Sequence, residues 1–322
     1  MNIKMIQAAS ERLDGQVRRT PLLFSPFLDE IAGRRVLVKP ECLQHTGSFK
    51  YRGAYSAISA IRDTEYKNGV IAFSSGNHAQ GVALAAQQHG VKSLIVMPKD
   101  APAIKIANTR ALGAEIICYE RNSESREDIG NKLSIERSLT LIKPYDEPEV
   151  IAGQGTTGIE IAEQSKEMGI TKADVLVCCG GGGLSSGIAL SLAEYAPDMT
   201  VYTAEPEGFD DTARSLEAGI RVKNEMTEGS ICDSIITPTP GRITFPILKA
   251  LCPKGFSVNE KEILQTMAIA FQRLKLVVEP GGAVALATAL FRPNEIKEDT
   301  VIVVVSGGNV DKSMFMRALR TL

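Results

Sequence analysis

Val175-Leu176-Val177-Cys178-Cys179-Gly180-Gly181-Gly182-Gly183-Leu184 reads as an apolar strand that breaks into four glycines and resumes as a helix. Apolar residues without alternation suit a strand buried on both faces, as in a parallel sheet. Four successive glycines let the backbone curl and turn several N–H groups toward one anion. The helix N-terminus behind them adds partial positive charge. The stretch therefore reads as a phosphate cradle at a strand's carboxyl end; a tight turn or a close strand–helix approach is the structural alternative. It is not a Walker A loop, because no Gly-Lys-Ser/Thr follows, and it lacks G-x-G-x-x-G spacing.

The same pattern recurs along the chain. Further apolar runs at 36–39, 70–74, 93–97, 115–119, 201–205 and 301–305 predict strands, with 175–179 as another. Between them, 78–89, 103–112, 158–168 and 184–195 carry helical patterns. Strand–helix alternation implies βαβ units and an open α/β sheet. A length of 322 residues suits two domains. The Pro-punctuated stretch Lys143-Pro144-Tyr145-Asp146-Glu147-Pro148 is a candidate hinge.

Composition narrows the function classes. Lys+Arg of 36 against Asp+Glu of 38 leaves a net charge of −2, without the basic excess of a nucleic-acid partner. No apolar run approaches the roughly 18–20 residues that span a bilayer, so no membrane partner is expected. The N-terminus has no apolar signal region. Cysteines at 42, 118, 178, 179, 232 and 252 include no C-x-x-C pair. A reduced, cytoplasmic protein is expected.

In open α/β sheets ligands collect at the carboxyl ends of strands. Besides the four glycines, two strand ends draw notice. Ser74-Ser75-Gly76-Asn77-His78-Ala79-Gln80 is either an anion-receptive turn or an ordinary helix cap. Ser306-Gly307-Gly308-Asn309 places a serine where its side chain could reach a ligand, though a plain turn explains it equally. Thr46-Gly47-Ser48-Phe49-Lys50-Tyr51-Arg52-Gly53-Ala54 follows the strand at 36–39. Ser48 is placed to cap the next helix, which puts Lys50 in its first turn. Positive helix-end potential there lowers the lysine pKa and favours the neutral amine that a Schiff base needs.

The segment Lys39-Pro40-Glu41-Cys42-Leu43-Gln44-His45-Thr46-Gly47-Ser48-Phe49-Lys50 resembles the lysine segment of fold-type II pyridoxal-phosphate (PLP) enzymes. The other motifs follow in that family's order, from Arg19-Thr20-Pro21 to Asn309. Within the family the chain is most similar to serine/threonine dehydratases, serine racemases and 3-hydroxyaspartate ammonia-lyases. The resemblance implies a tryptophan-synthase-beta-like α/β fold of two open α/β domains. A large PLP-binding domain would comprise 1–68 and 147–322, and a small mobile domain 69–146 would close over substrate. It implies Lys50 as the Schiff-base lysine and Phe49 packed beside the ring. Asn77 would meet the ring's 3-oxygen, and Ser306 the pyridine nitrogen. The backbone N–H groups of Gly180, Gly181, Gly182, Gly183 and Leu184 would hold the phosphate. Ser74, Ser75, Asn77 and His78 would form the loop for the substrate carboxylate. A serine at the pyridine nitrogen makes a weaker electron sink than an aspartate, which favours prompt loss of a β-leaving group.

Two features bear on the substrate. Serine racemases have a serine like Ser75, on the face opposite Lys50, so racemisation is open alongside simple carboxylate binding. Ser123-Glu124-Ser125-Arg126-Glu127 resembles the racemase segment whose arginine reaches a second carboxylate. Arg126 would favour 3-hydroxyaspartate, or it is a surface arginine paired with an acid. Glu205-Pro206-Glu207-Gly208-Phe209-Asp210-Asp211 resembles the family's cation site, with Glu205, the Phe209 carbonyl and Asp211 as ligands. Oxygen donors suit Mg²⁺, Ca²⁺ or Mn²⁺. A solvated acidic turn is the alternative. Cys232-Asp233-Ser234 departs from the family's usual Ala-Asp-Gly. The motifs run close to the end of the 322 residues, so no appended regulatory domain is expected.

The resulting expectation is a PLP-dependent dehydratase of L-serine, L-threonine or 3-hydroxyaspartate, giving a 2-oxo acid and ammonia, and assembled as a homodimer as is common in the family. Serine racemase is the nearest alternative. A PLP β-replacement synthase and a non-catalytic phospholigand-binding protein are the others.

Overall fold

The computed structural model describes residues 1–61, 68–74, 76–101, 103–120, 123–226 and 228–322. Its strands form two sheets. One has six strands in the order β1-β2-β10-β7-β8-β9: β1 (Leu23–Phe24), β2 (Arg35–Pro40), β7 (Ala173–Cys178), β8 (Met199–Pro206), β9 (Gly255–Val258) and β10 (Thr300–Val305). The other has four, in the order β5-β4-β3-β6: β3 (Val70–Phe73), β4 (Ser93–Pro98), β5 (Glu115–Tyr119) and β6 (Thr140–Leu141). All pairings are parallel except β1 with β2. Every predicted apolar run lies on a strand to within a residue or two. Val301 to Val305 are wholly buried, with β2 on one side and β7 on the other, as a run without alternation requires.

α1 (Ile3–Leu13) and α2 (Pro26–Ala32) flank β1, and α3 (Lys50–Ala60) leads to the smaller sheet. That sheet's strands are joined through α4 (Asn77–Gln88), α5 (Ala103–Ala111) and α6 (Arg126–Glu136). α7 (Pro148–Glu167) returns the chain to the larger sheet, followed by α8 (Gly183–Tyr195), α9 (Asp211–Ala218), α10 (Thr244–Leu251), α11 (Glu260–Ile269), α12 (Pro280–Phe291) and α13 (Lys312–Leu319). No helix is long and apolar enough to cross a membrane among the described residues.

Both chain ends therefore build the larger sheet, and residues 70 to 141 build the smaller one. The cores do not divide at the same points. Tyr51, Ala54, Ala57 and Ile58 of α3 pack with Leu13 and with Val70, Val82, Ile95 and Met97 in one cluster. The lysine helix thus packs against the small sheet's core on one side and against α7 on the other.

Two local expectations need correction. The helix read over 158–168 begins at Pro148. Its first half carries Gly153 and Gly155, which weaken the periodic signal but permit close packing. A Cβ at Gly155 would lie 3.0 Å from the Gly187 carbonyl of α8, and one at Gly153 would lie 2.5 Å from the Arg52 carbonyl of α3. Ser48 is not the cap of α3. Its backbone is extended and bridges Gly307, Phe49 takes the boundary position, and the Ser48 hydroxyl has no hydrogen-bond partner.

Candidate active site

A cavity lies between the two sheets, at the carboxyl ends of β3, β7 and β10. Its floor is the glycine loop. β7 ends at Cys178, and Gly182 takes φ +88°, a left-handed conformation that favours glycine, before α8 starts at Gly183. Thr244 Oγ1 (2.6 Å) and the Gly241 amide (3.2 Å) donate to the Gly181 carbonyl and hold the loop's shape. Tyr145 lies where any Gly181 side chain would project. The amides of Gly183, Leu184 and Ser185 are those of a first helical turn, which has no carbonyl within the helix to bind. They sit at the positive end of α8, a fitting seat for a phosphate.

Lys50 opens α3, the first-turn place that the spacing predicts. Its Nζ donates to the Pro144 carbonyl at 2.7 Å and lies 5.2 Å from the centre of the Phe49 ring. Burial pushes the ammonium down to about 8, while Cys178 and Glu279 pull the other way. The leading cause is thus desolvation, where the sequence argument invoked the helix end. Arg52, two residues further along, anchors the helix. Its guanidinium meets Glu41 (Nε–Oε2 2.8 Å) and Glu160 (Nη1–Oε1 2.7 Å), and Lys39 donates to Glu160 at 2.5 Å. All four residues are buried, and their charges balance.

Ser306 follows β10, is buried, and accepts at its carbonyl from the Phe49 amide at 3.1 Å. The loop carrying Ser306 is thereby tied to the lysine segment. The Cys178 thiol faces the Ser306 hydroxyl, and burial pushes that thiol up to about 11. Asn77 opens α4, beside Ser74 and His78 on the cavity wall. Ser74 Oγ accepts from the Gly76 amide at 3.3 Å. Ser75 lies outside the described residues.

His78 cannot bind a carboxylate through its ring. Nε2 sits 2.9 Å from the Ile142 carbonyl, which only accepts, so Nε2 carries the proton. Burial, with Lys50 nearby, pushes the imidazole down to about 3 and keeps it neutral. Nδ1 is therefore a lone pair. A carboxylate at this loop would be met by the first-turn amides of α4 instead.

Arg126 opens α6 behind the cap Ser125, which accepts from the Asp128 amide at 3.2 Å. Its Nε pairs with Glu127 at 2.9 Å and its guanidinium lies 5.9 Å from the centre of the Phe73 ring. Both readings of this residue have some footing, since it pairs with an acid and also lines the cavity. Lys105 and Asp233 face each other across the mouth at 3.7 Å. Sequence reasoning passed over Lys105, Gln154, Cys178 and Glu279, all of which line the cavity. Gln154 is buried with both amide atoms unpartnered. Glu279 is buried just before α12, and burial pushes its carboxyl up to about 7. The one available signal was an acidic residue within Val277-Val278-Glu279-Pro280, a break in an apolar run at a helix start.

The acidic turn lies at the end of β8. Glu205 is buried and accepts from the amides of Thr212 (3.0 Å) and Ala213 (2.8 Å), capping α9. Asp211 Oδ1 accepts from Asn224 Nδ2 at 2.7 Å, and Oδ2 has no partner. Burial pushes both carboxyls up, Glu205 well above its usual range, with the charge of Asp211 adding to its rise, and Asp211 to about 7. Phe209 is buried between them in the chain, its amide donating to the Pro206 carbonyl at 3.0 Å. No group of three acidic, histidine or cysteine side chains suited to a metal occurs among the described residues. The donors present are two carboxylates, one with an orphaned buried oxygen, which fits a hard cation completed by carbonyls and water.

The family model described as "Pyridoxal-phosphate dependent enzyme" matches residues 13–307. An L-threo-3-hydroxyaspartate ammonia-lyase of Pseudomonas sp is 42% identical over 312 residues, covering 97% of this chain and 96% of that protein. A serine racemase of Schizosaccharomyces pombe is 39% identical, covering 95% and 93%. Among solved structures, a threonine deaminase of T.th. matches with a TM-score of 0.91 and 42% identity, covering 97% of this chain and 99% of that one.

Proposed function

Because this chain belongs to the pyridoxal-phosphate dependent enzymes, we propose that it is an ammonia-lyase of β-hydroxy amino acids, acting on L-serine, L-threonine or 3-hydroxyaspartate. The observation that carries the reading is the placement of the Lys50 amine. It is half-buried, lowered to about 8 by desolvation, and shares one cavity with the glycine loop, Asn77 and Ser306. When bound, PLP supplies a carbonyl carbon for amines and an electron sink for the carbanion.

The chain's own residues supply the rest. The first-turn amides of α8 would hold the phosphate, and Ser306 would offer a neutral hydroxyl to the pyridine nitrogen. A lysine near 8 is neutral in about a tenth of molecules at pH 7, enough to serve as general base. Lys50 Nζ would take the Cα proton of the substrate and pass it to the departing β-hydroxyl, which leaves as water. The released enamine becomes an imine and hydrolyses to a 2-oxo acid and ammonia. Arg126 on the cavity wall is suited to a second carboxylate and so to 3-hydroxyaspartate. Ammonia release without a second substrate separates this activity from β-replacement.

Serine racemisation is the second reading, favoured by the similarity to a serine racemase. It requires a proton donor opposite Lys50, the part assigned to Ser75, and product chirality tests it. The proposal includes a divalent cation (Mg²⁺, Ca²⁺ or Mn²⁺) at Glu205 and Asp211, supported by the orphaned Asp211 oxygen. It includes a homodimer, supported by exposed apolar residues on neighbouring elements, among them Phe24, Phe27, Phe271 and Met316. It also includes residence in the cytoplasm, which cell fractionation tests.

A further inference from the structure

Asn77 carries an amide whose two ends look alike in shape but not in chemistry, and its surroundings decide which end faces where. The deciding group is a backbone carbonyl. Thr46 has φ +58°, a left-handed conformation rare for a β-branched residue, four residues before Lys50. Its carbonyl accepts from Asn309 Nδ2 at 2.7 Å. A carbonyl can only accept, so the NH₂ end of Asn309 must lie on this side. That same NH₂ donates to Asn77 Oδ1 at 2.7 Å. The oxygen of Asn77 is thereby fixed toward Asn309, and its NH₂ turned to the opposite side. There Asn77 Nδ2 donates to Glu279 Oε1 at 2.6 Å. An amide NH₂ has two hydrogens. One is spent on Glu279, and Asn77 lines the cavity, which leaves the second for a ligand there.

The backbone supports the same arrangement. Glu279 donates from its amide to the Gly307 carbonyl at 3.1 Å, and Gly308 donates to the Gly47 carbonyl at 2.9 Å. Any side chain on Gly307 would collide with the Glu279 carboxylate and come within 3.1 Å of Asn77 Nδ2. The lysine loop, the turn after β10 and the start of α12 therefore converge on one side chain of α4. Strain held at Thr46 beside a functional lysine has a use here, as the fixed origin of the chain of bonds.

We propose that Asn309 and Glu279 are positioning residues that set the polarity of the Asn77 amide, so that a single N–H is presented to the 3-oxygen of PLP. The inference rests on the cofactor reading above and adds the residues that aim the donor. Neither Asn309 nor Glu279 needs to touch the cofactor. Asn309→Asp replaces the donor by an acceptor, repels the Thr46 carbonyl and invites Asn77 to turn its NH₂ the wrong way.

The test uses purified protein loaded with PLP, in wild type, Asn77→Ala, Asn309→Asp and the double variant. The near-visible absorption band and the PLP dissociation constant are read, together with the melting temperature of each cofactor-free protein. The expected result is a displaced band and about tenfold weaker PLP binding in each single variant, with the double variant no worse than Asn77→Ala alone. A wild-type band and affinity in Asn309→Asp, or losses that multiply in the double variant, would overturn the relay. If Asn309→Asp fails to fold, Glu279 reads the other end. Glu279→Gln keeps an acceptor and the wild-type band, whereas Glu279→Leu displaces it. A wild-type band in Glu279→Leu overturns the relay. A wild-type protein that takes up no PLP is a distinguishable failure, of the cofactor reading itself, and the relay falls with it.

Discussion

The Lys50 amine donates to the Pro144 carbonyl at 2.7 Å, a bond between the helix that carries the lysine and the segment that leaves the smaller sheet. The proline carbonyl can accept from the charged or the neutral amine, so the bond holds Nζ in place without fixing its protonation. Burial then sets the balance, bringing the amine to about 8.

Capture of PLP should therefore follow the neutral fraction of Lys50. The second-order rate of appearance of the near-visible band is expected to rise about tenfold per pH unit between pH 6 and 7, and to level off above about 8. Stopped-flow absorbance measures it. A plateau reached only near the ordinary lysine range would contradict the burial argument.

Arg52 holds the lysine helix from below. Arg52→Met strands Glu41 and Glu160 in a buried site with only Lys39 to compensate, at a cost of about 3–5 kcal/mol. Denaturant unfolding of the cofactor-free protein should register it. Arg52→Lys keeps the charge but loses the forked geometry, and should fall between the two. A loss below about 1 kcal/mol for Arg52→Met would remove the anchoring role.

Arg126→Ala should discriminate among substrates. If the guanidinium binds a second carboxylate, kcat/KM on 3-hydroxyaspartate falls about tenfold or more, while serine and threonine change little. Equal losses on all three substrates would return Arg126 to its pairing with Glu127 on the helix surface.

A cation between Glu205 and Asp211 would relieve two buried carboxylates of their mutual repulsion. Chelation should lower the melting temperature by several degrees, as loss of a ligand bound only by the folded state does. Added Mg²⁺, Ca²⁺ or Mn²⁺ should restore it, and Asp211→Asn should abolish the response. Identical melting with and without chelator would speak against the site.

The parts of this molecule most legible from sequence were those whose physics is local. A run such as Val301 to Val305 can hardly be anything but a buried strand, and four glycines after an apolar run announce their loop. Strands of two residues, β1 and β6, leave too little pattern to see. β9, with Gly255 and Ser257 among its four residues, lacks the apolar continuity that betrayed the others. The first half of α7 was hidden by glycines that serve packing against α3 and α8. The site was legible where a resemblance covered it and opaque where partners are remote. Glu279 meets Asn77 across 202 residues, and nothing near either one announces the other. The neutral state of His78 likewise depends on a carbonyl 64 residues away.

The central claim is that Lys50 holds PLP in an enzyme that releases ammonia. The purified protein should be loaded with PLP, reduced with borohydride and digested, and the modified peptide identified by mass spectrometry. The account predicts phosphopyridoxyl label on Lys50 alone, and ammonia with 2-oxo acid from at least one β-hydroxy amino acid before reduction but none after. Label on another lysine, or full turnover by Lys50→Ala, would contradict it.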